Sequence, residues 1–241
     1  MLFTAFSFTL ALVSVACALV KRDAPLADGN SMQYGTLSNG LQWQASGVLK
    51  QGCSSAGSPH ITSCYSLSFT NDPTKQLDPG FPDSPRQRIE FLTPTGNDGT
   101  SHTYTWKYYL APGTGSTTHF FHLMQVFSRG TAGGAPVITL DAVKDTVAVE
   151  DNVRNCTNPK CPSIALSSFE GKTTHHSMAI TYGPSGKINY VVKDDSGNTL
   201  LSYQATGSMG TGGTYIKFGE YRAAVSGMTI ANAALGDFTS S

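Results

Sequence analysis

The chain has little charge. Lysine, arginine, aspartate and glutamate make up 13% of its 241 residues, 16 basic against 16 acidic. There is no basic run, arginine stripe or acidic tail, so the electrostatic footprint of a nucleic-acid or membrane-surface partner is missing. Glutamate is scarcer still, at positions Glu90, Glu150, Glu170 and Glu220 only. None of the four belongs to a Glu-x-Glu or Glu-x-Asp-x-x-Glu pair. Glu150 and Asp151 are consecutive and would point to opposite faces of a strand, so the close carboxylate pair of a retaining glycosidase is not evident. There is no Gly-x-Ser-x-Gly elbow for serine chemistry and no Cys-x-x-Cys pair for zinc. Helical patterns are scarce, and past the N-terminus no apolar run is long enough to span a bilayer.

The N-terminus itself is apolar. "MLFTAFSFTLALVSVACALV" followed by Lys21-Arg22 has the length and flanks of a secretory signal peptide. The expected division is a signal peptide over 1–19, a dibasic pro-segment over 20–22 and a mature, secreted chain over 23–241. Taking Lys21 and Arg22 from 16 basic against 16 acidic residues leaves that chain near −2. Cys17 leaves with the signal, and Cys53, Cys64, Cys156 and Cys161 remain. Four cysteines allow three connectivities. The local pairs Cys53–Cys64 and Cys156–Cys161 are expected, each closing a loop rich in Gly, Pro, Ser or Asn in an oxidising compartment. Asn155-Cys156-Thr157 is the one glycosylation sequon, with a cysteine at its centre.

What the chain has in quantity is short alternation of apolar and polar residues, broken by Gly, Pro, Asn and Asp. That pattern predicts an all-β fold. Runs such as "CYSLSF", "RQRIEFL", "HTYTWKYYL", "HFFHLMQVFS", "KINYVVKD" and "TYIKFGEY" read as strands, about a dozen in all. "YGPSGKINYVVKDDSGNTLLSYQ" reads as a meander with tight turns. No repeat or linker divides the chain. The expectation is one concanavalin A-like β-jelly roll of two antiparallel sheets, the concave sheet forming a groove for an extended polymer.

Three strands carry the candidate chemistry. In "TYIKFGEY" the residues Tyr215, Lys217, Gly219 and Tyr221 share one face, because side chains alternate with a period of two. In "RQRIEFL" Arg88 and Glu90 share a face. In "HFFHLMQVF" strict alternation puts Phe121, Leu123, Gln125 and Phe127 on one side, with His122 and Met124 on the other. Arginine, glutamine and tyrosine on neighbouring strands suit β-elimination on a uronic acid polymer. That reaction needs donors to hold the C5 carboxylate as negative charge builds on it, a base for the C5 proton and an acid for O4. Arg88 and Gln125 fit the first task. Tyr221 fits the other two if a cation such as Arg88 lowers its pKa. Lys217 lies roughly 13 Å along the strand from Tyr221 and suits a carboxylate at an adjacent subsite.

These stretches resemble the jelly-roll alginate lyases, which carry an Arg-x-Glu-Leu strand, a Gln-(Ile/Val)-His strand and a Tyr-Phe-Lys-Ala-Gly-x-Tyr strand. Here "RIEF", "QVF" and "YIKFGEY" stand in the same order. The resemblance implies Arg88 and Gln125 as carboxylate neutralisers, Tyr221 as the catalytic tyrosine and Lys217 as the motif lysine. It spans about twenty residues. Phe127 stands where that family has its catalytic histidine. In β-D-glucuronate and β-D-mannuronate the C5 hydrogen and O4 lie on one side of the ring, so a single tyrosine can serve a syn elimination. α-L-guluronate places them on opposite sides and would be disfavoured. The fungal glucuronan lyases of the same clan are the nearer match in kind, which puts glucuronan ahead of mannuronan as substrate.

Tyr215 and Phe127 are expected to line the substrate groove, with His175 and His60 as histidines that could project into it. No organic cofactor is implied. A structural calcium ion, with Asp237 as a ligand, is the metal expectation, and a monomer the expected state. Two rival readings remain open. One is a carbohydrate-binding jelly roll whose groove is lined by Tyr104, Trp106 or Tyr108. The other is a glycoside hydrolase with separated carboxylates, such as Glu90 with Glu150.

Overall fold

A computed structural model describes residues 23–54, 57–114, 117–130 and 134–241. The expected signal peptide and dibasic segment lie outside these residues. Among the described residues no helix is long and apolar enough to cross a membrane.

The chain folds into strands wherever apolar and polar residues alternate, and turns at its glycine-rich breaks. The first half contributes β1 (Ala24–Asp28), β2 (Gln33–Thr36), β3 (Gln42–Ala45), β4 (Val48–Gln51), β5 (Cys64–Phe69), β6 (Arg86–Leu92), β7 (Ser101–Leu110) and β8 (Phe121–Ser128). The second half contributes β9 (Ala135–Val143), β10 (Thr146–Asp151), β11 (Ser163–Ala165), β12 (Thr173–Thr181), β13 (Gly183–Asp194), β14 (Thr199–Met209), β15 (Thr214–Ala223) and β16 (Ala231–Ser240). These form two eight-stranded antiparallel sheets, ordered β1-β4-β5-β16-β7-β12-β13-β14 and β11-β10-β9-β8-β15-β6-β3-β2. The two packed sheets are the expected jelly-roll sandwich. The stretch read as a meander holds two strands, β13 and β14, and β12 just before it pairs with β13 to complete three in sequence.

The core lies between the sheets. In β13 Ile188, Tyr190 and Val192 point inward, while Lys187, Asn189 and Lys193 point to solvent. In β7 the inward residues are Tyr104, Trp106 and Tyr108, each no more than 3% exposed. Trp106 stacks on Phe218 of the opposite sheet with ring centres 5.3 Å apart. This corrects the aromatic-groove reading of β7: its rings are the large apolar surface that the fold must bury, and its outward residues are hydroxyls and Lys107. His176, also inward, is held between Thr174 and the Tyr190 hydroxyl. Burial drives its pKa down to about 3, so it is a neutral core residue.

Both expected disulfides are present, Cys53–Cys64 at the entry to β5 and Cys156–Cys161 in the loop after β10. They fit an oxidising compartment. Asn155 sits exposed beside the second, at a positive φ of 51°.

β15 runs through the middle of the second sheet, and every residue from Thr214 to Arg222 is buried. Its inner side, with Ile216 and Phe218, joins the core. Its outer side carries Tyr215, Lys217 and Tyr221, which are covered by neighbouring side chains instead.

Candidate active site

The outer face of β6, β15 and β8 forms a cleft of about 690 Å³. β15 pairs with β6 so that Tyr221 lies opposite Arg88, and with β8 so that Lys217 lies opposite Gln125. Arg88, Gln125, Lys217, Tyr215, Phe127 and Tyr221, which are far apart in sequence, all line this cleft.

Two bulges shape it. In β8 the register against β9 slips between His122 and Met124. Leu123 and Met124 therefore both enter the core, and His122 joins Gln125 and Phe127 on the cleft face. This corrects the strict alternation read from sequence, which put His122 on the opposite side from Gln125. An extra residue in one strand flips the parity of everything beyond it. The second bulge lies in β15 between Phe218 and Tyr221. Gly219 there has φ +146°, and a Cβ on it would run into the Ile89 carbonyl oxygen. Only glycine lets β15 pass that close to β6.

Tyr221 is 6% exposed, yet its ring forms part of the cleft wall. Arg86 Nη1 donates to its hydroxyl at 2.7 Å, and the Arg88 guanidinium lies 3.8 Å from the ring centre. The cation bonded to the phenol is thus Arg86, and Arg88 sits against the ring face. Burial raises the phenol's pKa, and Arg88 and Arg86 offset only part of this. Tyr221 at rest is therefore a neutral phenol, contrary to the expectation of a depressed pKa. The His122 ring stands 5.7 Å from that of Tyr221, and His122 Nδ1 is 2.5 Å from Asp141 Oδ1. A carboxylate at Nδ1 sets the tautomer and leaves Nε2 as the proton acceptor.

Beneath the cleft lies a buried charge network. Arg88 Nε donates to Asp78 at 2.7 Å and Nη1 to Glu90 at 2.6 Å. Gln125 Nε2 donates to the other Glu90 oxygen at 2.5 Å, and Gln44 Nε2 donates to Oε2 at 3.1 Å. Lys217 Nζ lies 3.9 Å from Glu90 and 4.1 Å from the Phe127 ring centre. Burial alone would raise the Glu90 pKa, but Lys217, Arg88 and Gln125 together hold it below the usual carboxylate range. Burial lowers the Lys217 pKa, with Glu90 opposing. Each buried charge has a partner, as burial requires.

The remaining candidates lie elsewhere. His60 and His175 are on the other sheet's side, both bonded to Asp195 at 2.6 Å, and neither lines the cleft. β12 belongs to the sheet across the core, and the Cys53–Cys64 loop packs on that same sheet through Lys107. The Glu90–Glu150 pairing fails on distance. β10 and β6 are four strand spacings apart, roughly 19 Å, against about 5–10 Å between paired glycosidase carboxylates. The Asp237 carboxylate accepts from the amides of Thr62 and Ser63 and pairs with Lys107 at 3.0 Å. Those partners are donors and a cation, so the residue does not fit a calcium ligand. Among the described residues no group of three or more His, Cys, Asp or Glu is placed to hold a metal.

Sequence reasoning missed His122, Asp141, Arg86 and Asp78, together with Arg129, which also lines the cleft. His122 did leave a signal. In "FFHLMQVF" the polar residues His122 and Gln125 are three apart with two apolar residues between, a break in the period of two that marks an inserted residue.

No family model matches the chain, and no curated protein matches it. Solved structures do. The endo-β-1,4-glucuronan lyase of the fungus Trichoderma reesei superposes with a TM-score of 0.56 over 90% of this chain and 92% of its own, at 10% identity. The alginate lyase of Corynebacterium sp. gives 0.49 over 80% of each chain, at 11% identity. The chain thus shares the jelly-roll fold found in polysaccharide lyases.

Proposed function

We propose that this chain is a secreted polysaccharide lyase that cleaves a β-1,4-linked uronate polymer by syn β-elimination, with glucuronan ahead of mannuronan. The observation that carries the reading is a phenol bonded to one guanidinium, stacked on another, and set beside an aspartate-held histidine. All four groups project from one face of one sheet.

In this reading the uronate carboxylate meets the N–H groups of Arg88 left over from Asp78 and Glu90, together with the second amide hydrogen of Gln125. These donors stabilise the charge that builds as the C5 proton leaves. His122 takes that proton at Nε2. The C4–O4 bond breaks, a C4–C5 double bond forms, and Tyr221 gives its proton to O4. The neutral resting phenol suits it to the acid role, and the histidine relieves it of the base role. Both groups approach from the sheet side of the sugar. That favours substrates whose C5 hydrogen and O4 lie on the same side, and so disfavours guluronate.

The test is incubation with glucuronan, polymannuronate, polyguluronate and a neutral β-glucan. A lyase raises both ultraviolet absorbance and reducing ends on the first two. Reducing ends without absorbance would indicate a hydrolase, and neither signal would leave a carbohydrate-binding protein.

A further inference from the structure

Charge does not cancel evenly along the cleft. In its middle, Arg88 and Lys217 meet Asp78 and Glu90. Among the described residues no ion pair joins Arg86 or Arg129 to a carboxylate, and both line the cleft. They stand at opposite ends of it. Arg86 is bonded to Tyr221, and the Arg129 guanidinium lies 4.9 Å from the centre of the Tyr215 ring. Tyr215 and Tyr221 are six residues apart on one strand, which at about 3.3 Å per residue separates the two arginine–tyrosine pairs by roughly 20 Å. The cleft therefore runs along β15, with an arginine that no carboxylate pairs at each end, Asp141 being held by His122.

A single small anion would satisfy only one end. An extended ligand with anionic groups at that separation satisfies both, and several pyranose rings are needed to cover the distance. Phe127 and Tyr215, with ring centres 5.6 Å apart, add an apolar flank beside Arg129 against which a sugar face can lie. We infer that Arg129, Tyr215 and Phe127 form a remote subsite for the carboxylate of a uronate several residues along the chain from the bond at Tyr221. This subsite sets a minimum chain length for tight binding. The inference takes the uronate nature of the ligand from the lyase reading, but it does not depend on the chemistry at Tyr221.

The experiment measures the affinity of the Tyr221→Phe protein for oligoglucuronates of increasing length by calorimetry. Affinity should step up once the oligomer spans the cleft. Arg129→Ala should remove that step, about tenfold for a charge-assisted contact, and Arg129→Lys should keep part of it. Arg129 is exposed, so neither change threatens folding. An Arg129→Ala effect equal at all lengths, or absent, overturns the inference. If the wild type cleaves no uronan while the Arg129-dependent step persists, the lyase reading falls and the subsite stands. If it cleaves uronan without the step, the subsite falls alone.

Discussion

Glu220 stands next to Tyr221 in sequence but points the other way, into the core. It is fully buried, and neither carboxyl oxygen has a hydrogen-bond partner. Burial pushes its pKa up to about 8, with Arg222 pulling weakly against it. The unfolded chain would ionise this group at its ordinary value of 4.5. A carboxyl whose folded pKa is raised favours folding fully below the unfolded value, and that advantage is lost as pH rises through the folded one. Between pH 4 and pH 8 the native state therefore loses stability, by about 3 kcal/mol at pH 7. Replacing Glu220 with methionine keeps the volume and removes both the titration and the unpartnered oxygens. Glutamine would be a poorer choice, because it brings amide hydrogens into the same unpartnered position. The expected result at pH 7 is a gain of about 3 kcal/mol, or roughly 6–12 °C in melting temperature for a chain of this size. The gain should shrink steadily as pH is lowered to 4. Paired thermal or denaturant melts of wild type and Glu220→Met across that range read the difference directly, and other titrating groups cancel in it. A difference that does not change with pH would refute the reasoning, because Glu220 would then titrate alike in folded and unfolded chains.

Four further outcomes follow from the structure. His122→Ala should lower kcat on glucuronan by about 10²–10⁴, the usual worth of a positioned base, and Asp141→Asn by less; steady-state rates check both. Gly219→Ala should destabilise the fold by roughly 1–3 kcal/mol, since its Cβ meets the Ile89 carbonyl at a φ that other residues avoid; a denaturation curve measures it. Because burial raises the Tyr221 pKa, the phenol stays protonated below its raised value. The alkaline fall in kcat should therefore lie above pH 10, as a pH–rate profile would show.

Much of this was legible in the chain because period-two alternation is a local property. The bounds of β6 match "RQRIEFL", and the row Tyr215, Lys217, Tyr221 does share a face. β1, β2 and β11 were not anticipated. They are short strands of three to five residues at the outer ends of the sheets, where pairing rather than pattern defines them. What failed lay beyond strict alternation. Alternation puts His175 and His176 on opposite faces of β12 but does not say which sheet β12 joins, so His175, expected in the groove, ended on the opposite side of the sandwich from Tyr221. In β8 one inserted residue reversed the assignment of His122, and with it the account of which group takes the proton. Asp78, which fixes Arg88 from outside any strand, is recognisable only once the chain is folded.

The central claim is that the Tyr221 hydroxyl transfers a proton to the departing oxygen. The direct measurement is the ultraviolet absorbance produced on glucuronan by wild type and Tyr221→Phe at equal, folded concentrations. A loss of about 10²–10⁴ in rate with the melting temperature retained is the predicted result. A Tyr221→Phe protein that forms unsaturated product at the wild-type rate would contradict it.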